Sequence, residues 1–353
     1  MIPYRAPRAQ QGTVLEHHII QYLETVFAYA IEKRASDIHL EPKQDQLTIR
    51  MRFDGLLHVV AEAPVEIAAS LVSRIKILAK ADIAQKHLPQ DGRIHLAQHG
   101  IDLRMSTCPT LLGEKVVLRL LNAPQQKVGL SALGLDNDTL QQVQHALAQS
   151  QGLILVTGPT GSGKTFTLYC LLDQLNSTER NICTIEDPIE ITLPGINQVA
   201  VQPKINFQFT QALRTFLRQD PDVIMVGEMR DNETADIAVK AAQTGHMVFS
   251  TLHTNSAEAA VTRLTQMGIE RYLLDDALTL VIAQRLLRRL CPHCQQNAQP
   301  IGCGQCFGGY AGRIPVFECY PHGKQTLQQA AESLVDQALT SSAEVNRVLS
   351  WQA

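Results

Sequence analysis

The stretch Gly158-Pro159-Thr160-Gly161-Ser162-Gly163-Lys164-Thr165 decides how this chain is read. Its letters fit G-x-x-x-x-G-K-[ST], and its flanks fit as well. Before it, Leu153-Ile154-Leu155-Val156 is a short apolar run of strand character. After it, Leu168, Leu171, Leu172 and Leu175 share one face of a helix predicted over Thr165–Leu175. Strand, glycine loop and helix in that order make a phosphate-binding loop, whose backbone N–H groups turn inward at the positive end of the helix. Lys164 would reach the β- and γ-phosphates of a nucleotide such as ATP, and the Thr165 hydroxyl would ligate Mg²⁺. A glycine-rich turn that binds nothing is the alternative, and it leaves the flanking pattern unexplained.

At 353 residues the chain is too long for one ordinary core and predicts two domains. Apolar residues make up 45% and charged residues 18%, the balance of a soluble globular protein. The net charge of −3 argues against a nucleic-acid carrier. No run approaches the ~18 consecutive apolar residues of a membrane-spanning helix. Residues Met1–Gln10 carry Arg5 and Arg8 but no apolar core of a secretory signal, so a cytoplasmic location with reduced thiols is expected.

Residues 1–122 read as a small α+β domain. A helix is predicted over Leu15–Arg34, followed by strand-like segments at Asp37–Leu40, Leu47–Phe53 and Leu56–Val60, with a tight turn at Asp54-Gly55. A second helix over Val65–Lys80 precedes strands at Gly92–Ala97, Ile101–Ser106 and Lys115–Leu121. Residues 123–134, with Pro124 and two glycines, read as a linker. From 135 to 353, apolar runs at Asn181–Ile185, Val223–Val226 and Met247–Ser250 alternate with helical segments and predict a parallel α/β sheet. The tail Lys324–Ala353 reads as helical, with Leu327, Ala330, Ala331, Leu334, Ala338 and Leu339 on one stripe.

Three further segments carry chemistry. Glu186, Asp187 and Glu190 follow a predicted strand, at the edge where a parallel sheet binds ligands, so one of them could activate water. A solvated acidic loop is the alternative. Asp220–Glu228 is an apolar strand ending in an acid, the arrangement in which Glu228 reaches Mg²⁺ directly or through water. His253 emerges at the end of another strand, near the expected phosphates, where a merely structural histidine is the alternative. Separately, Cys291-x2-Cys294-x8-Cys303-x2-Cys306 has the spacing of a closed, structural Zn²⁺ site over residues 288–312. Two disulfides are the alternative. Cys108, Cys170, Cys183 and Cys319 are scattered and expected in the core.

Taken together and in order, these segments resemble the type II secretion and type IV pilus assembly ATPase family. The pieces that carry the resemblance are Ser36-Asp37-Ile38-His39-Leu40-Glu41-Pro42, Pro89-Gln90-Asp91-Gly92-Arg93, the loop Gly158–Thr165, Thr184–Glu190 and Asp220–Asp231. Thr244–Ala257, the four cysteines and Gly309-Tyr310-x-Gly312-Arg313 complete them. The resemblance implies a PAS-like α+β domain followed by a RecA-like motor domain, a homo-hexameric ring, and ATP, Mg²⁺ and Zn²⁺ as cofactors. It implies a catalytic carboxylate at Glu190 in preference to Glu186, metal binding at Glu228, a γ-phosphate sensor at His253, and arginines at Arg104 and Arg119 that reach the nucleotide. For these arginines a surface salt bridge is the alternative.

The expected partner is an inner-membrane platform protein, with peripheral membrane association and no direct nucleic-acid binding. Two departures from the family pattern stand out. The first motif comes as early as Ser36, which predicts that the extra N-terminal domain of full-length assembly ATPases is absent, and the loop within the cysteine tetrad is short. Export and assembly members carry the tetrad and retraction motors typically lack it, so assembly is the first reading. A retraction motor, a nucleotide-binding scaffold without turnover and, more remotely, a nucleic-acid motor are the alternatives.

Overall fold

The computed structural model describes residues 2, 12–121, 128–296 and 299–350. Residue 122, residues 123–127 of the expected linker, most of the lead-in before Gly12 and the last three residues of the tail lie outside the described residues. The chain divides into two compact units, Met1–Gln125 and Gln126–Ala353.

The first unit runs α1 (Gly12–Glu32), β1 (Asp37–Pro42), β2 (Gln46–Phe53), β3 (Leu56–Pro64), α2 (Ala68–Leu78), β4 (Gln90–Leu96), β5 (Ile101–Thr110) and β6 (Gly113–Leu121). Its six strands form one antiparallel sheet in the order β3-β2-β1-β6-β5-β4. The β2–β3 turn places Asp54 at φ 47° and Gly55 at φ 89°, the positive pair that suits the twist of a tight hairpin. Along β5, Leu103, Met105 and Thr107 are buried while Asp102, Arg104 and Ser106 are exposed, so one face is core and the other is wet. On the core side α2 packs against β4 and β6, and α1 lies against α2.

The wet face is charged in register. Arg93, Arg104, Arg119, Asp37 and Arg52 stand opposite one another across β4, β5, β6, β1 and β2. Asp37 receives Arg119 Nε at 3.0 Å and lies 3.3 Å from Arg52 Nε. Two rows along β1, buried Glu41 accepts from Arg50 at 2.8 and 2.9 Å and from Lys115 at 2.8 Å. Burial alone would raise the Glu41 carboxyl, but the hydrogen bonds from Arg50 and Lys115 outweigh it and hold the carboxyl at about 2.

The second unit is a seven-stranded sheet in the order β13-β12-β7-β11-β10-β8-β9. Its strands are β7 (Gly152–Thr157), β8 (Ile182–Glu186), β9 (Asn197–Ala200), β10 (Val223–Val226), β11 (Met247–Leu252), β12 (Leu278–Leu290) and β13 (Tyr310–Tyr320). All pair in parallel except β13, which runs antiparallel to β12. Helices α3 (Asn137–Leu147) and α4 (Lys164–Leu175) cover one face. The other face is covered by α5 (Phe209–Phe216), α6 (Asn232–Gln243), α7 (Ala257–Gln266), α8 (Arg271–Ala277), α9 (Leu327–Asp336) and α10 (Ser342–Leu349). Strand β7 shows the consequence: Ile154 and Val156 enter the first core, and Leu153 and Leu155 the second. That is why the run reads as continuously apolar rather than alternating.

The structure corrects two expectations and adds a strand. The tail is not one helix but two, α9 and α10, broken where Ala338 takes a φ of 54°. Cys108 is exposed, because it falls on the wet parity of β5 with Arg104 and Ser106. The periodicity assigned no strand to Leu278–Leu290, which is the longest strand of the sheet and lies beside β7. Leucine and arginine are good helix formers, and tertiary pairing overrides that preference here.

Folding lowers the pKa of Glu41, so its contribution is present above the ordinary carboxylate range and is lost as the pH falls towards about 2. Glu41→Gln is expected to remove on the order of 1–2 kcal/mol of stability at neutral pH, because Arg50 and Lys115 are partly exposed and their charges are screened by solvent. It should also flatten the acid limb of stability between about pH 5 and 2, read by denaturant melts. A variant whose pH profile superimposes on the wild type contradicts this network.

Candidate nucleotide and metal sites

Four strand ends build the larger site. The loop 158–163 links β7 to α4, and Gly158, Gly161 and Gly163 all have positive φ. At Gly163, which precedes the first turn of α4, φ is 90° and a Cβ would lie 2.9 Å from Gln284 Nε2. At Gly158 a Cβ would meet the Gln284 carbonyl at 2.5 Å. The loop is therefore pressed against β12, and only glycine fits at either position. Pro159, Thr160 and Ser162 complete the turn, and Ser162 is buried.

Lys164, also buried, folds back so that Nζ donates to the carbonyls of Gly158 at 2.9 Å and Pro159 at 3.1 Å. Burial pulls its ammonium down to about 8; nearby Glu228 opposes that shift and Arg285 adds to it. An ammonium held in a desolvated loop by carbonyls alone is ready to exchange them for phosphate oxygens. Thr165 lies in the first turn of α4, where unsatisfied helical N–H groups concentrate.

Glu228 follows β10, which is separated from the P-loop strand β7 by β11. Its carboxylate is 18% exposed, is paired with Arg230, and lies 3.7 Å from His253 Nε2. His253 follows β11 and is half-exposed. Burial and the Lys164 charge lower its pKa against the opposing pull of Glu228, which keeps the ring neutral at neutral pH. The loop carrying it is tied to the end of β7, where Thr157 Oγ1 accepts from Thr254 N–H at 2.9 Å. Thr251 Oγ1 donates to the Gly227 carbonyl at 2.7 Å, so the ends of β10 and β11 are laced together.

The two glutamates after β8 occupy different environments. Glu186 is 2% exposed, and both its oxygens are engaged, by Tyr169, by Thr184 at 2.7 Å and by Gln198 at 3.1 Å. Glu190 is exposed on the loop that follows. Arg104 and Arg119 belong to the other unit, in the arginine row described above. Arg119 is anchored by Asp37, whereas among the described residues Arg104 and Arg93 have no acidic partner.

Sequence reasoning assigned no role to Gln284 and Arg285 on β12. Arg285 is 3% exposed and donates to the carbonyls of Gln284 at 3.0 Å and Asn255 at 2.8 Å, joining β12 to the loop that carries His253. Its signal was an arginine inside an otherwise apolar run. Arg230 and Tyr169 also escaped that reading; the hydroxyl of Tyr169 among the leucines of α4 was the available signal.

The four cysteines sit on the segment joining β12 to β13, as free thiols. Cys291 and Cys303 Sγ are 3.9 Å apart, and Cys294–Cys306 and Cys303–Cys306 are 3.7 Å apart. All four sulfurs lie within 4.8 Å of one another. Four thiolates at ~2.3 Å from a tetrahedral Zn²⁺ stand ~3.8 Å apart, so the donor set fits zinc. A disulfide needs ~2.05 Å, which no pair approaches. The base of the lobe is fixed by buried Glu344, which accepts from Arg288 Nε at 2.9 Å, while the Arg288 guanidinium covers the Tyr310 ring at 3.9 Å.

A glycine cradle at a helix N-terminus, with an acidic strand end one inserted strand away, defines a RecA-like P-loop nucleotide-binding protein. The chain belongs to the family described as Type II/IV secretion system protein, whose family model matches residues 14–350. It is 47% identical over 326 residues to the type IV pilus assembly ATPase PilB of Pseudomonas aeruginosa, covering 85% of this chain and 58% of that protein. It is 49% identical over 322 residues to type II secretion system protein E of Klebsiella pneumoniae, covering 85% of this chain and 65% of that protein. The chain thus spans about six tenths of the length of these relatives. Among solved structures, the pilus retraction motor PilT with bound ADP is 29% identical, with a TM-score of 0.63, covering 91% of this chain and 95% of that one.

If the tetrad holds zinc, freshly reduced protein should carry one equivalent of Zn²⁺ per chain by elemental analysis. Cys294→Ser should lose it and increase protease cutting between 291 and 309. Well under one equivalent in the wild type contradicts the assignment.

Proposed function

We propose that this chain is an ATP-hydrolysing motor that powers assembly of a type IV pilus or type II secretion filament. The observation that carries this reading is the cluster of Lys164, Glu228 and His253 at the carboxyl edge of one sheet, with Glu190 four residues beyond the end of β8, in a chain nearly half identical to assembly and secretion proteins. The loop N–H groups and Lys164 would bind the β- and γ-phosphates. Thr165 and Glu228 would hold the Mg²⁺ that neutralises charge on those phosphates.

Glu190, exposed on the loop after β8, would take a proton from the attacking water as the water oxygen bonds to the γ-phosphorus and the bond to ADP breaks. Neutral His253 would donate a hydrogen bond to the γ-phosphate and report its presence. Arg104 and Arg119 would bring positive charge to the transferring phosphoryl group of a neighbouring copy in the ring. Arg93, in the same row, extends that charged surface. Arginines in this role are worth ~10³–10⁵ in rate.

The ring is proposed to be a homo-hexamer acting on an inner-membrane platform protein from the cytoplasmic side. No helix among the described residues is long and apolar enough to cross a membrane. The tetracysteine lobe favours assembly over retraction, because retraction members of the family typically lack it.

Lys164→Ala should abolish binding of a fluorescent ATP analogue. Glu190→Gln should bind it normally and lose at least about 10²-fold in turnover. Wild-type turnover in Glu190→Gln would remove this residue as the base. ATP binding without turnover in the wild-type ring on its membrane partner would favour a scaffold.

A further inference from the structure

Glu190 sits on an exposed loop, yet a general base must be aimed to within a fraction of an ångström. The structure contains the device that would aim it. Tyr169 lies on α4, one turn beyond Thr165, and is fully buried. A phenol has one proton and two lone pairs. Tyr169 donates the proton to Glu186 Oε2 and accepts the Glu190 backbone N–H at 3.2 Å.

The second oxygen of Glu186 accepts from Thr184 at 2.7 Å and from Gln198 Nε2 at 3.1 Å. Gln198, on β9, spends its remaining capacity on the same loop. It donates to the Ile191 carbonyl at 2.9 Å and accepts the Leu193 N–H at 2.7 Å. The loop is thus held at residues 190, 191 and 193 by two side chains that share one buried carboxylate. Burial and the Glu186 charge push the Tyr169 phenol above its ordinary value, so its proton stays available to donate.

We infer that Tyr169 and Gln198 are positioning residues that clamp the Glu190 loop onto the P-loop helix through buried Glu186. This rests on the reading of Glu190 as the base. The chemical role of Glu186 is then to anchor the clamp, and a base there would have no free oxygen. Because Tyr169 and Lys164 ride on one helix, phosphate seating at the helix N-terminus and the aim of Glu190 share one rigid element. Tyr169 and Gln198 lie outside the P-loop and spend their hydrogen bonds on Glu186 and the Glu190 loop, so the clamp should govern turnover and leave affinity alone.

The test uses the full chain with MgATP. Turnover, affinity for a fluorescent ATP analogue and melting temperature are measured for the wild type, Tyr169→Phe, Gln198→Leu, Glu190→Gln and the Tyr169→Phe/Glu190→Gln double variant. Tyr169→Phe and Gln198→Leu should lower kcat by about 10–100-fold, with KM and affinity nearly unchanged. In the double variant Tyr169→Phe should add nothing to Glu190→Gln in single-turnover assays, because the group it positions is gone. Gln198 is only partly buried, so Gln198→Leu keeps the test open should Tyr169→Phe melt near room temperature. Unchanged kcat in both single variants, with Glu190→Gln inactive, overturns the clamp and leaves the base in place. An active Glu190→Gln overturns the base and the clamp with it. A further loss in the double variant would show a merely structural role and overturn the clamp.

Discussion

Unsatisfied N–H groups at the start of α4, aimed at one edge of a parallel sheet, are the constraint on which the larger unit depends. Those donors need a chain that reverses tightly from β7 into the helix, and the reversal needs positive φ at Gly158, Gly161 and Gly163. The loop cannot spread, because the Gln284 carbonyl and side chain stand against it. Buried Lys164 adds a charge that the carbonyls of Gly158 and Pro159 and the nearby Glu228 carboxylate offset. Burying such a group costs stability, and the two apolar cores on either face of the sheet support it.

The smaller unit solves a different electrostatic problem. An antiparallel sheet with one wet face places cross-strand neighbours about 5 Å apart, so a row of arginines repels unless acids interrupt it. Asp37 and Glu41 on β1 do so, each shared by two cations. Arg93 and Arg104, at the far end of the row, are left without such an acid among the described residues. Free guanidinium groups on a rigid strand suit an anion delivered from elsewhere, which is the role proposed for Arg104 in catalysis.

Much of this was legible in the sequence, where local chemistry fixes the outcome. The P-loop, the Asp54-Gly55 turn and the cysteine pairs each need particular residues at particular spacings, whatever surrounds them. The rest depended on chain segments far apart. Strand β12 has no strand-like alternation among its leucines and arginines, and it is a strand by pairing with β7 and β13. The break at Ala338 has no glycine or proline to announce it. Glu186 and Glu190 look alike in sequence, and only the arrival of Tyr169 and Gln198 separates a buried anchor from an exposed acid. The extra arginines of the row emerge from register, which a strand read alone does not contain.

The proposal most open to test is that the reaction uses Arg104 of one copy of the chain and Glu190 of another. The most direct measurement is ATP turnover of Arg104→Ala mixed with Glu190→Gln, across a range of protein concentrations. Each variant alone should be nearly inactive. The mixture should regain activity that rises with concentration, as interfaces form that pair an intact arginine with an intact glutamate. A mixture no more active than its components at every concentration, while the wild type turns over, would contradict the shared site.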